Sequence, residues 1–315
     1  MIEVYYYDKK LRKGTTAQIK DLIKTRKRFW IDISDPSQNE VALMKELFAL
    51  HPITAEDILT TNTRAKIEQF EDYLFVVLYG IYKHKNIRLR EMDFVLGKNF
   101  LVTAHKQTIE GFDKFKRDER KMEQLLKQGM DFFMHNLIDI EVDNFLPVLE
   151  LFDEVIDKIE DTIIANPNKR TMEKILDLKR RMSKIKKIII PQQEKISFLA
   201  KNKYSLISPS CQTYFRDVHD HFYTVTDMIE DYREALSSSF DAYMSSISND
   251  MNQVMKVLSV MATIMLPLTV ISGVYGMNFL VIPGARDPAG FWYVIGLMVI
   301  LIVVMLGLFK KKGWM

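Results

Sequence analysis

After Lys256 the chain carries no charged residue until Arg286-Asp287, and after those none until Lys310. Two uncharged blocks result, 257–275 and 291–309. Each approaches the ~20 apolar residues that a membrane-spanning helix needs. The alternative, a buried hairpin in a soluble core, is hard to build from two adjacent blocks of this length. Trp292, Tyr293 and Trp314 stand where interfacial aromatics belong, and Lys310-Lys311-Lys312 closes the second block with charge that stays cytoplasmic. Two spans return a chain to its starting side. The expectation is a multi-pass cell-membrane protein with both termini cytoplasmic and the turn after the first span outside.

The remainder excludes several classes. A net charge of +3 on 315 residues does not suggest a nucleic-acid partner. The single cysteine, Cys211, rules out an intrachain disulfide and fits a reducing compartment. The opening MIEVYYYDKKLRKG has no apolar stretch of signal-peptide type, so no cleavable leader is expected.

Organisation follows from pattern. Residues 1–107 alternate β-rich runs (IEVYYY, FWIDI, YLFVVLYGIY, MDFVLG, FLVTAH) with helical stretches such as 38-QNEVALMKELFAL-50, an α/β cytoplasmic domain. Residues 108–210 read as helical, with long helices at 130–165 and 169–202 joined at Asn166-Pro167-Asn168. From 211 to 275 only Pro267 interrupts. A continuous helix there is about 100 Å long at ~1.5 Å per residue, a stalk whose end is the first span. The loop 276–290, the second span 291–309 and a basic tail 310–315 complete the chain.

Charge is segregated along the helical part. Between 139 and 161 nine acids face Lys158 alone, whereas 169–203 is dominated by bases such as Lys179-Arg180-Arg181. Two readings stand: a hairpin whose helices attract each other, or charges that set a field for a cation. In the first span one heptad seam runs Asn252, Ser259, Leu266, Gly273, and its companion runs Met255, Ala262, Thr269, Gly276. Small and polar residues in this pattern serve helix packing or line a pore. One span cannot enclose a pore, so the second reading requires several copies about one axis. Neither span contains Asp, Glu, Lys, Arg or His, which argues against a proton relay or a charged intramembrane site. Gly276-Met277-Asn278 after the span also has a plain reading as a helix cap.

The turn Tyr275-Gly276-Met277-Asn278 resembles the CorA family of magnesium transporters. So do 249-NDMNQVMKVLSVMATIMLPLTVISGVYGMN-278, 214-YFRDVHDH-221, 51-HPITAEDIL-59, 64-RAKIEQFEDYLFVVLYG-80 and the terminal Lys-Lys-Lys-Gly-Trp. The likeness covers nearly the whole chain. It implies a homopentameric, funnel-shaped channel whose first spans line the pore and whose Gly276, Met277 and Asn278 ring the external mouth as selectivity filter for hydrated Mg²⁺. No organic cofactor, nucleic acid or enzymatic step is expected.

The physics is consistent with that implication. Mg²⁺ gives up water reluctantly, so a filter is better built to hold the hydrated ion. Asn278 offers a neutral amide oxygen to first-shell water, and Gly273 and Gly276 keep the passage wide. On that implication Thr269 and Asn252 are placed to touch the water shell, while Leu266, Leu258 and Met255 are expected to make apolar constrictions suited to gating by dewetting. For a dication an interior-negative potential supplies about 4.6 kcal/mol per 100 mV, so neither ATP nor a coupling ion is needed. Co²⁺ and Ni²⁺ also suit a hydrated-ion filter.

The resemblance further implies closure by cytoplasmic Mg²⁺ at acidic residues, which Asp139 and Asp217 match; the alternative for Asp217 is an ordinary exposed stalk acid. The expected partner turn, 82-YKHKN-86, is basic instead, leaving Glu91 or Asp93 to substitute or the site weak. In the outer loop Asp287 is cancelled by Arg286. Two competitors remain. One is a zinc transporter of the same superfamily, for which the spans lack imidazole and thiolate and His219 and His221 are badly spaced. The other is a tail-anchored enzyme or signalling protein using 1–105, where no nucleophile–base constellation stands out.

Overall fold

The computed structural model describes residues 1–60, 63–83, 87–165, 168–278, 282–284 and 287–314. Seven strands form one sheet: β1 (Ile2–Asp8), β2 (Lys10–Gly14), β3 (Phe29–Ser34), β4 (Lys66–Gln69), β5 (Tyr73–Lys83), β6 (Ile87–Gly97) and β7 (Phe100–His105). Their order is β2-β1-β3-β7-β6-β5-β4, with β3 and β7 parallel and every other pair antiparallel. The five apolar runs of the sequence are the inner strands and β1. The two strands without such a run, β2 (KLRKG) and β4 (KIEQ), are the edges. Lysine-rich edge strands resist pairing with other chains, and they lack the alternation that reveals a strand.

Helices cover both faces. On one side lie α1 (Ile19–Lys24), α2 (Gln38–Phe48) and α3 (Pro52–Leu59), whose Ile19, Met44, Phe48 and Ile58 pack on Phe29, Ile31, Phe75 and Val77. Ser37 and Glu40 cap α2 reciprocally, each side chain meeting the other's backbone N–H. On the other side are α4 (Glu110–Lys116), α5 (Glu119–Gln128) and α6 (Met130–Asp143). There Trp30 meets Phe112, Phe115 and Phe133 at ring separations of 5.2 to 6.2 Å.

The helical stretch read as one element over 130–165 is two: α6 ends at Asp143, and α7 (Phe145–Ala165) follows. Pro147 accounts for the break, because it cannot donate to the carbonyl of Asp143 and its ring crowds that carbonyl. Then come α8 (Lys169–Lys201), α9 (Pro209–Tyr275) and α10 (Gly290–Lys311). The single helix expected over 211–275 is present as α9, through Pro267. The turn at Asn166-Pro167 lies outside the described residues.

The chain divides into two units, Met1–Asp161 with Arg170–Ser238, and Thr162–Lys169 with Ser239–Met315. In the first, α6 and α9 run parallel, since Asp131 accepts from Ser208 and His135 donates to the Tyr214 carbonyl. α8 is antiparallel to α9: Gln193 accepts from Thr226, and Lys179 reaches Ser237. Basic α8 also pairs with α9 through Lys186 and Glu230. Glu141, counted with the acidic stretch, is 1% exposed and accepts from the Tyr82 hydroxyl, with burial holding its carboxyl up to about 7.

Candidate conduction and metal-sensing sites

Among the described residues, the C-terminal part of α9 and all of α10 are long and apolar enough to cross a membrane. Val260 is 7% exposed, and Ile264, Pro267 and Ile271 are half-buried. At about 100° per residue these four fall within roughly 60° of arc. α10 carries a matching half-buried stripe at Val294, Met298, Leu301 and Met305, and Lys256 Nζ donates to the Gly313 carbonyl at 3.3 Å. One side of the first span is thus occupied by the second.

The seam is elsewhere. Asn252, Met255, Leu258, Ser259, Ala262, Leu266, Thr269 and Gly273 are all exposed in the single chain. Its centre lies roughly 160° around the helix from the Val260 stripe. A Cβ added at Gly273 would meet nothing within 4 Å. Thr269 Oγ1 donates to the Met265 carbonyl at 2.9 Å. That bond uses the hydroxyl hydrogen and leaves lone pairs to accept from water, the polarity that a hydrated cation presents.

α9 ends without a left-handed glycine. Gly276 N donates to the Ser272 carbonyl at 2.9 Å and Met277 N to that of Val274 at 3.3 Å, a tightening last turn. Positive φ among the described glycines occurs at Gly284 and Gly313. Gly276 is therefore not present for a left-handed cap. A Cβ there would lie 3.0 Å from the Ser272 carbonyl oxygen, so the turn's closeness favours glycine. Asn278 is exposed beyond it. In the following loop Asp287 Oδ1 accepts from Ala289 N at 2.8 Å; Arg286, expected to cancel its charge, lies outside the described residues.

The two acids expected to sense metal meet a common histidine. His221 Nδ1 lies 3.9 Å from Asp139 Oδ1 and 3.2 Å from Asp143 Oδ1, and its Nε2 lies 4.0 Å from Asp217 Oδ2. Asp139, Asp143 and His221 offer ligand atoms within 4.8 Å of one another. Asp139 Oδ1 and His221 Nδ1 are buried and unmatched by any hydrogen bond among the described residues. Burial, then Asp143 and Asp217, push the Asp139 carboxyl up, while His221 opposes them. Sequence reasoning missed His221 and Asp143. Asp139 and Asp143 are four apart on α6, as Asp217 and His221 are on α9, and that double spacing was the available signal.

The suggested substitutes fare differently. Asp93 is 5% exposed, and burial followed by the Glu91 and Asp57 charges pushes its carboxyl well up. Glu91 accepts from the Tyr79 hydroxyl and from Thr63 N. His84-Lys85-Asn86 lies outside the described residues. His219 turns to Asp220 at 3.3 Å while His221 turns to α6, so the two histidines do not converge on zinc. The nearest approach to a catalytic relay is Ser34, His105 and Asp32. There both Ser34 Oγ and Asp32 approach the same His105 nitrogen, Nε2, and Nδ1 goes to the Gln107 carbonyl, so no hydroxyl–imidazole–carboxylate chain is formed.

An α/β domain, a helix of 67 residues ending in an apolar span, and a second apolar helix define a two-span membrane protein. The family model described as CorA-like Mg2+ transporter protein matches residues 27–311. The cobalt/magnesium transport protein CorA of Thermotoga maritima is 35% identical over all of this chain and 92% of its own length. A CorA magnesium transporter structure from Methanocaldococcus jannaschii superposes with a TM-score of 0.89, at 23% identity, over 100% of this chain and 99% of that one. The cytoplasmic domain of ZntB from Vibrio parahaemolyticus shares the fold more distantly, with a TM-score of 0.64, 14% identity and coverage of 78% and 98% of the two chains. The chain belongs to the CorA-like Mg2+ transporter family, a family of membrane transporters rather than enzymes.

Proposed function

We propose that this chain forms a homopentameric channel that admits Mg²⁺, and with it Co²⁺ and Ni²⁺, down the electrochemical gradient. The observation that carries the reading is the exposed seam of α9. It lies away from the face occupied by α10 and leads to the Gly276-Met277-Asn278 turn. Copies arranged about one axis turn these seams inward. Asn278 then receives the hydrated ion by accepting from its water shell, and Thr269 and Asn252 repeat that contact further in. Leu266, Leu258 and Met255 form the dry constrictions, and Ser259, Ala262 and Gly273 leave room between them. Residues 276–290 face outside, and 1–107, the helical region 108–210 and the tail 310–315 face the cytoplasm.

Cytoplasmic Mg²⁺ closes the channel at Asp139 and Asp217. Asp143 and His221 widen that donor set. Two or three carboxylates with retained waters suit Mg²⁺, whereas imidazole suits Co²⁺ and Ni²⁺ better. The zinc reading is disfavoured because neither span contains a histidine or cysteine. The deciding experiment is Mg²⁺ uptake into reconstituted vesicles under an interior-negative potential. Uptake in the parent and none in an assembled Asn278→Ala variant is expected. Near-parental flux in that variant would remove Asn278 from the filter.

A further inference from the structure

β5 outruns its edge partner. β4 pairs with it only from Lys66 opposite Val77 to Gln69 opposite Leu74, so the edge beyond Val77 has no strand beside it. The vacated N–H of Tyr79 is taken by Gln192 of α8, whose Oε1 accepts at 2.6 Å. Gln192 is completely buried, and the other half of its amide, Nε2, has no acceptor among the described residues. Both its chain neighbour, Pro191, and its bonded partner, Tyr79, line a cavity of about 290 Å³, whose rim carries Arg64 and Lys187. Neither base has an ion-pair partner among the described residues. Glu91 accepts from Thr63 N and from the Tyr79 hydroxyl, both on lining residues.

We propose that this cavity binds a phosphate-class anion. A guanidinium and an ammonium on one rim supply the charge and the N–H donors that phosphate oxygens take. Gln192 does not itself line the cavity; by accepting from Tyr79 N it fixes the wall formed by Tyr79 and its chain neighbour Pro191. The bound anion ties the segment at Thr63–Ala65 to α8, linking the sheet edge to the helical region. The site is separate from the conduction path and does not depend on how ions cross the membrane.

The test uses full-length protein in detergent, titrated calorimetrically with inorganic phosphate against chloride at matched ionic strength. A second arm uses vesicles containing phosphatidic acid, which separates a soluble phosphate from a lipid headgroup. Saturable binding in either arm is expected, weakened about tenfold by Arg64→Gln and by Lys187→Gln, and unchanged by Lys201→Gln on an exposed base elsewhere. Arg64 and Lys187 are exposed, so the variants keep the fold, and an unchanged thermal midpoint checks this. No saturable binding in either arm, or binding that the double variant leaves intact, overturns the proposal. So does a double variant whose only effect is weaker assembly, because a carboxylate of a neighbouring copy would then fill the cavity.

Discussion

The assignment of α9 faces can be tested one thiol at a time. Cys211 is the single cysteine of the chain and is completely buried, with burial pushing its thiol up, so it stays silent towards charged thiol reagents. Cysteines placed at Ala262, Leu266 or Thr269 sit on the seam, and one at Val260 sits on the face occupied by α10. The magnitude follows from ionisation, because the thiolate is the reacting form. A thiol of ordinary pKa, about 8.5, in a wetted pore is roughly a tenth ionised at pH 7.5. One packed against apolar neighbours, shifted up by about two units, is ionised roughly a hundredfold less. A positively charged methanethiosulfonate should therefore modify 262, 266 and 269 about a hundred times faster than 260. Met261, exposed but on the flank, should be slow because lipid rather than water covers it. The fast positions should recur every three to four residues over a rise of about 10 Å. Comparable rates at 260 and 266, or no helical period, would refute the pore face.

Polar substitution of Leu266 or Met255 should raise leak in vesicle flux by wetting the constriction, whereas Val260→Asn should lower assembly instead; equal leak from both faces would count against a dry gate. Because the Asp139 carboxyl is held up by burial and by its acidic neighbours, protons compete with metal there above the ordinary carboxylate range. Mg²⁺ protection from proteolysis should weaken as pH falls through that raised value. Without metal the sign reverses: the contact is favoured below it and loosened as pH rises. Asp217→Lys should abolish Mg²⁺ protection, and protection equal to the parent's would place sensing elsewhere. Asp32 is 1% exposed and bonds Lys116 at 2.6 Å, Thr103 at 2.5 Å and His105 at 3.2 Å. Burial raises its carboxyl, but His105 and Lys116 outweigh that and hold it below the usual range. Its contribution is present above about pH 4 and lost as pH falls through the lowered value. Asp32→Asn should cost about 3 kcal/mol, read by Trp30 fluorescence on unfolding, since Lys116 then keeps only the half-buried Glu3 and the exposed Asp113 as partners. Parental stability in that variant would show that the network is not stabilising.

Much of the membrane part was legible in the sequence because it depends on local quantities. Absence of charge over a helix length marks each span, and a 3.6-residue period marks a face, neither of which needs a partner to be known. The five apolar strands were readable for the same reason. β2 and β4 were not, because edge strands are recognised by pairing rather than by their own residues. Pro147 was visible, but its effect on Asp143 depends on the i−4 geometry of a helix, and proline suits the first turn of a helix equally well. Only the tertiary structure decided which side of α9 is spoken for. Val260 is buried and the Leu266 side is exposed in the single chain, a distinction that the seam, open to both packing and pore lining, did not give. It also brought Asp139 and Asp143 of α6 to His221 and Asp217 of α9, about 80 residues apart in the chain. It withdrew Asp93 and Glu141 from any surface role. A carboxylate's chemistry is set by what surrounds it, and in a chain where acids are common the surroundings exist only after folding.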